Sequence, residues 1–328
     1  MDITANKADT ALVPARQIDW KSSVIYLVFI GIFLFFSITL HDKGFLDAGN
    51  LMNIARQTAM ISIMAVGMTF VLSAAEIDLS FGAIVALSAV TAAMLMPYGI
   101  VWAVLGALLV GSLCGLINGL FVAKVGIPSF LVTLGMAGII TGVTRWITAL
   151  QSIPVENETF VFVFVFGSGD IGPVSVLFIW MIVIAVLGHV LLRRTAFGKE
   201  VLASGGNKIA AMYSGINVNR IKLYVLVLNA FLAALAGILY SGRLQSARYT
   251  LGENDLMMVV AAVIIGGTSL FGGKGTVMGS IIGALIMGMV NNGLVLMGLN
   301  VDQQMIFRGL IIIFAVTLTM GNLRKKKR

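Results

Sequence analysis

Charged residues are scarce in this chain: Asp, Glu, Lys and Arg make up 11% of its 328 residues, where a soluble domain carries about 25%. Cysteine occurs once, at Cys114, and histidine twice, at His41 and His189. A lone cysteine excludes a disulfide framework and packs more readily as a small apolar residue than as a reactive thiol. The two histidines, far apart and each flanking an apolar run, have no metal-ligand spacing. No nucleophile stands beside a base, so nothing points to a membrane enzyme, and no catalytic residue or metal ligand is assigned. Long polar stretches are missing too. No segment between apolar runs is large enough to be an ATPase or to bind a solute alone.

What is present is apolar: 59% of the residues are hydrophobic and 37 are glycine. A bilayer core of about 30 Å needs about 20 apolar residues per helix, and such runs follow one another almost end to end. They are continuous rather than alternating, which excludes a transmembrane barrel. The pattern predicts an all-α polytopic membrane protein of about ten transmembrane helices, over 24–40, 54–74, 81–96, 100–122, 129–149, 173–192, 221–241, 256–271, 277–297 and 305–321. A polar N-terminal segment, 1–23, precedes one transmembrane domain, 24–321, and a basic tail, 322–328, follows it. The first run lacks a small-residue cleavage site after it, so it is a retained span rather than a signal peptide.

Placing the N-terminus in the cytoplasm and alternating ten spans puts sixteen cations inside, among them the RKKKR tail, and six outside: Lys43, Arg56, Arg145, Arg243, Arg248 and Arg308. Such a bias is what the positive-inside rule expects. The net charge of +8 is therefore a signal of topology, not of nucleic-acid binding, and both termini are expected in the cytoplasm. The one long outer loop, Gln151 to Gly172, holds Glu156, Glu158 and Asp170.

The stretch LFGGKGT, Leu270 to Thr276, superficially resembles a phosphate cradle. The P-loop requires Gly-Lys followed by Ser or Thr, and here Gly275 follows Lys274, with Gly267 one residue too far back. Apolar runs on both sides make it a cytoplasmic turn whose glycines allow positive φ.

The longest inside loop, 193–222, is basic and patterned. Phe197, Val201 and Leu202 recur at helical spacing, Gly205-Gly206 interrupt the chain, Asn207 suits an N-cap, and Ile209, Ala210, Met212 and Tyr213 form a second short helix closed by Gly215. Two short amphipathic helices suit either a docking surface for a cytoplasmic partner or a plain linker held at the headgroups.

Polar groups inside spans are the other candidates, since charge in hydrocarbon costs about 2.5–3.5 kcal/mol even on insertion scales. Asp78 and Ser80 stand before the third span, where either could cap the helix or serve translocation; Asn229, Asn291 and Asn292 either bond between helices or line a path. Phe130 and Trp146 could stack on a ring or anchor in lipid. Arg308, near the outer surface, is expected to snorkel to water. Gly111, Gly115 and Gly119, and Gly279 and Gly283, form small-residue faces for close helix approach. The matching blocks around Asp78-Leu-Ser-Phe-Gly and Ser269-Leu-Phe-Gly-Gly hint at an internal repeat.

Six blocks occur in order: AVGMTFVLSAAEIDLSFGAIVALSA, GLINGLFVAKVGIPSFLVTLGM, FGKEVLASGGNKIAAMYSGINVNRIK, LAALAGILYSGRLQSA, AAVIIGGTSLFGGKGTVMGSIIGALIMGMVNNGLVLMG and QMIFRGLIII. Together, over about residues 45 to 321, they resemble the permease subunits of ABC sugar importers of the ribose, xylose and arabinose type. Ala75-Glu76 departs from the glycine-containing pair usual before Ile-Asp-Leu-Ser. The resemblance implies a ten-helix fold like the vitamin B12-type importers and a cytoplasmic (inner) membrane location. It implies import of a pentose or hexose delivered by a periplasmic sugar-binding protein, through a channel made with a second permease subunit. ATP would be used by a partner ABC ATPase, leaving no cofactor in this chain. The docking loop would comprise Phe197, Gly198, Gly205, Gly206, Asn207, Ala210, Met212 and Gly215, with Phe197, Ala210 and Met212 filling a groove in the ATPase. A branched-chain amino-acid permease shares that architecture. An ion-coupled secondary transporter would favour several buried carboxylates in broken helices, where only Glu76 and Asp78 qualify.

Overall fold

A computed structural model describes residues 20–155 and 160–325. Most of the expected N-terminal segment, the end of the basic tail, and Glu156 and Glu158 of the outer loop lie outside the described residues. The described residues are mostly helical: α1 Trp20–Thr39, α2 Ala48–Ser73, α3 Phe81–Leu95, α4 Ile100–Leu120, α5 Ser129–Thr148, α6 Phe160–Val163, α7 Val176–Arg194, α8 Ala196–Gly206, α9 Lys208–Tyr213, α10 Val218–Leu244, α11 Asp255–Ile265, α12 Val277–Leu296 and α13 Val301–Lys325. Two short antiparallel pairs join the loops, β1 Ile153–Pro154 with β4 Ser246–Ala247, and β2 Asp170–Ile171 with β3 Val174–Ser175.

Among the described residues, seven helices are long and apolar enough to cross a membrane, and Val24–Thr39 and Asp255–Ile265 are shorter apolar helices. The chain is thus a polytopic all-α membrane protein. One apolar run is not helical throughout. The stretch expected to span 256–271 is helical only to Ile265, because Gly266-Gly267 follow and Gly267 takes a φ of +86° that ends the helix, a conformation glycine adopts without steric cost.

α2 and α10 form the centre, buried along most of their length. Nothing drives helices together in lipid through water release, so close backbone approach must supply the packing. The glycine face of α4 does so within this chain: a Cβ on Gly111 would meet that of Ala234 at 2.5 Å, one on Gly115 the Leu226 carbonyl at 2.8 Å, and one on Gly119 the Leu223 Cα at 3.0 Å. Gly279 and Gly283 of α12 likewise pack on Gly266 and Ala262 beside and within α11. By contrast, α5 buries only a narrow stripe, Ser129, Thr133, Ile140, Thr144 and Thr148. Its remaining faces, like the outward side of α4, present large apolar residues such as Leu109, Leu131 and Leu134.

Candidate functional site

The 193–222 segment folds as two helices. Thr195 starts α8, its hydroxyl accepting from the Gly198 N–H at 3.2 Å. Gly198 has no room for a side chain, because a Cβ would run into the carbonyls of Leu191 and Leu192. Contrary to the expected interruption at Gly205-Gly206, α8 continues through both glycines and breaks at Asn207, which is extended at φ −154°. The Asn207 side chain then caps α9 by accepting from the Ala210 N–H at 3.0 Å, and Gly215 at φ +83° closes it.

The two glycines have another use. A Cβ on Gly205 would collide with the Ser73 carbonyl and lie 2.9 Å from the Gly273 nitrogen. On the other side, a Cβ on Gly272 would meet the Gly205 carbonyl at 2.5 Å and the Ala75 Cβ at 2.6 Å. The Gly273 N–H donates to the Ser73 carbonyl at 3.0 Å. The end of α8 is therefore pressed, backbone to backbone, onto the turn after α2 and the turn before α12. LFGGKGT is the second of these turns: Gly272 and Gly273 have φ of +81° and +73°, and Ser269 N–H donates to the Lys274 carbonyl.

Of the side chains expected to reach a partner, Ala210 and Met212 are exposed, joined on α9 by Ile209 and Tyr213. Phe197 faces the other way. Its ring stacks on Phe70 of α2 at 6.1 Å and meets the edge of Tyr224 at 6.4 Å, so it fixes α8 to the spans rather than filling an outside groove. Beside it an open cleft of about 410 Å³ is lined by Phe197, Glu200, Gly215, Arg220 and Tyr224.

Asp78, Ser80 and Asn229 come together. Asp78 Oδ1 accepts from the Ser80 N–H (2.8 Å) and hydroxyl (2.7 Å), and Oδ2 accepts from the Asn229 amide at 2.9 Å. Asn118 of α4 donates to the Ser80 hydroxyl at 2.8 Å. The carboxylate thus sits at the N-terminus of α3, where negative charge is favoured, although Ser80 occupies the cap position itself. The connection is held from α5 as well, Ile77 N–H to Ser129 and Leu79 N–H to Thr133, each 3.0 Å. Glu76, the residue that departs from the usual pair, forms an ion pair of 2.5 Å with Lys222 in the first turns of α10. All of Asp78, Ser80, Asn118 and Asn229 are buried within the chain.

Asn291 and Asn292 are separate from this cluster. Asn292 exchanges two amide bonds with Asn50 of α2, at 3.1 and 2.9 Å. Asn291 accepts from Arg308 at 2.9 Å, and Arg308 also donates to Gln304 at 3.2 Å. Arg308 is therefore bonded within the bundle rather than snorkelling to water. Nearby, Tyr240 donates to Asp255 at the start of α11, at 2.7 Å.

Sequence reasoning missed Lys222, Asn118, Ser129, Thr133, Tyr240 and Asp255. A readable signal existed for the α5 pair, since Ser129, Thr133, Thr144 and Thr148 recur at helical spacing among apolar residues. The others meet their partners only through the fold.

Residues 50–316 match the family described as branched-chain amino acid transport system / permease component. Among similar proteins, the ribose import permease protein of Escherichia coli is 40% identical over 307 residues, 92% of this chain and 94% of that protein. The D-allose transport system permease protein of Escherichia coli is 38% identical, covering 85% of this chain and 86% of its own length. The L-arabinose ABC transporter permease protein of Azospirillum brasilense is 34% identical, over 95% and 93%. No solved structure matches the chain.

Proposed function

The chain belongs to the branched-chain amino acid transport system / permease component family, and from that premise we propose that it is the membrane-spanning permease subunit of an ABC importer for a monosaccharide. The sugar class is supported by relatives named for ribose, allose and arabinose, whose similarity extends over most of both chains; none of these is named for a branched-chain amino acid. The protein is a multi-pass component of the cytoplasmic membrane.

The topology follows from charge. Ten spans, α1 to α5, α7 and α10 to α13, with both termini cytoplasmic, place α8–α9 and the turns at 74–80 and 266–276 on the cytoplasmic side. The residues 1–23, 24–321 and 322–328 then serve as cytoplasmic segment, permease domain and basic tail. A vitamin B12-type arrangement of ten helices, and a pore completed by a second permease subunit, belong to the same proposal. A periplasmic binding protein brings the sugar, and a cytoplasmic ATPase hydrolyses ATP.

One observation carries the coupling role: the backbone of Gly205 and Gly206 is seated against two turns that each join a pair of spans. A partner gripping the exposed Ile209, Met212 and Tyr213 face of α9 cannot move it without displacing Ser73–Ala75 and Gly272–Gly273. Packed, hydrogen-bonded elements transmit displacement rather than absorbing it. The Lys222–Glu76 pair and the bonds around Asp78 extend the same rigid body toward α3, α5 and α10. Asp78, Ser80 and Asn229 are assigned to that mechanical junction, with Asn291 and Asn292 bonding between helices.

The test is reconstitution of the permease with its ATPase and binding protein in proteoliposomes, presenting ribose, allose, arabinose and leucine. Uptake of a monosaccharide that needs both ATP and binding protein is expected. Uptake of leucine alone, or uphill transport by the permease without the ATPase, overturns the proposal.

A further inference from the structure

The connection from α10 to α11 does not stay at the outer surface. After β4 pairs with β1, residues 248–254 run without helix, and Gly252 lies against α3: its carbonyl is 2.7 Å from where a Gly82 Cβ would stand, and its own Cβ would lie 2.9 Å from that of Val85. Val85 lies 13 residues before Tyr98, where the helical turns after α3 end, a descent of about 20 Å at about 1.5 Å per residue. The Val85 carbonyl faces Gly237, seven residues and about 10 Å before the end of α10. The segment therefore re-enters the bundle as far as the first turns of α3, about 10 Å below the end of α10 and about 20 Å below the end of the turns after α3. α11 agrees: its 11 residues rise about 16 Å, half of a hydrocarbon core.

Non-helical backbone at that depth is tolerated only where protein buries it or where it lines a water-filled cavity. Gly252 itself is buried against α3, but the residues that follow it are not. Glu253 and Asn254 are exposed, and Glu253 forms a loose 3.5 Å pair with Arg145 of α5, their side chains 44% and 49% exposed. The Arg145 guanidinium also lies over the Tyr249 ring, 5.4 Å from its centre. An open carboxylate and guanidinium facing acyl chains would be costly, so this surface must meet water in the assembled protein.

We infer that Arg145, Tyr249 and Glu253 line the outer half of the solute path and form a transient contact site for a neutral polyhydroxylated solute; the solute class rests on the proposed sugar import. The carboxylate accepts from hydroxyl groups, the guanidinium donates to them, and the aromatic face suits the C–H face of a sugar ring. The long ion pair can part to admit hydroxyls and close behind them, giving contact without tight retention. The buried Asp78 junction, whose polar groups bond to one another, has no such opening.

The test uses the complete complex with Glu253→Cys in a Cys114→Ala background and a membrane-impermeant, trimethylammonium-bearing thiosulfonate. Because the thiolate reacts, and it forms only in water, labelling at 253 should be at least roughly tenfold faster than at Leu109→Cys on the apolar face of α4. Sugar-loaded binding protein should slow it. Glu253→Gln should raise the apparent KM for uptake roughly tenfold, the size of one charged hydrogen bond, with Glu253→Asp recovering part. Should Glu253→Cys fail to assemble, Asn254→Cys carries the same labelling test. Labelling no faster than at Leu109→Cys, a disulfide between two copies without labelling, or unchanged uptake by Glu253→Gln overturns the inference. Labelling reports water whatever the solute is, so it can succeed even if the solute panel rejects sugars, and it can fail even if sugars are carried.

Discussion

Two places where backbone leaves helical form against the bundle are built on opposite plans. At 74–80 the polar groups are closed in: Asp78 and Ser80 are fully buried, their side chains bond to each other and to α4 and α10, and Leu79 is held from α5. At 248–254 the chain is open, its charges facing outward and paired loosely. Asp78 and Ser80 are bonded on every side-chain oxygen, although Asn118 Oδ1 and Asn229 Oδ1 have no partner among the described residues. Bonded buried polar groups stiffen their surroundings, and that suits a junction which must pass on a push. Open polar surface can exchange partners, as a passage requires. The contrast separates the mechanical from the solute-facing part of one subunit.

The sharpest way to break the closed plan is Lys222→Met, which leaves Glu76 buried without its counter-charge. We expect a loss of about 3–5 kcal/mol, read as a fall in the thermal unfolding midpoint of the detergent-solubilised complex, while exchanging the pair as Glu76→Lys with Lys222→Glu should recover part of it. Next comes Gly205→Ala: its methyl group meets the Ser73 carbonyl, overpacking should cost about 1–3 kcal/mol, and ATP-driven uptake should fall sharply. Gly206→Ala sharpens this result, because its Cβ would find only the Gly273 Cα, at an ordinary 3.5 Å, and transport should stay near normal. On the exposed side, Arg56→Gln removes the pair with Asp170, whose side chains are 32% and 41% exposed; less than about 1 kcal/mol should be lost. The smallest effect is expected of Lys274→Ala. Uptake should be unchanged, and photolabelling of the isolated chain by an ATP analogue should not mark this turn.

Much of the architecture was legible because hydropathy is a local property. The helix limits of α4, α5 and α12 lie within a few residues of the apolar runs that announced them. Asn207 as a cap and Gly215 as a helix stop were readable from residue type alone. The early end of α11 was written in Gly266-Gly267, yet the apolar Leu270-Phe271 beyond them extended the run in hydropathy without extending the helix. The partners of the site were harder. Asp78 meets Asn229 from 151 residues away and Asn50 meets Asn292 from 242, and no spacing rule connects such positions. The descent of 248–254 was hidden for a different reason: a short polar stretch after a span reads as an outer loop, and only its contact with Gly82 and Val85 shows how deep it goes.

The reciprocal amides of Asn50 and Asn292 lock two distant stretches of sequence in register. Each donates to the other, so a slide of α2 along α12 by even a single residue forfeits both bonds together and leaves the buried Asn292 carboxamide without its partner. The start of α2 and the later turns of α12 must therefore travel as a unit, and whatever rocking the subunit undergoes has to hinge elsewhere.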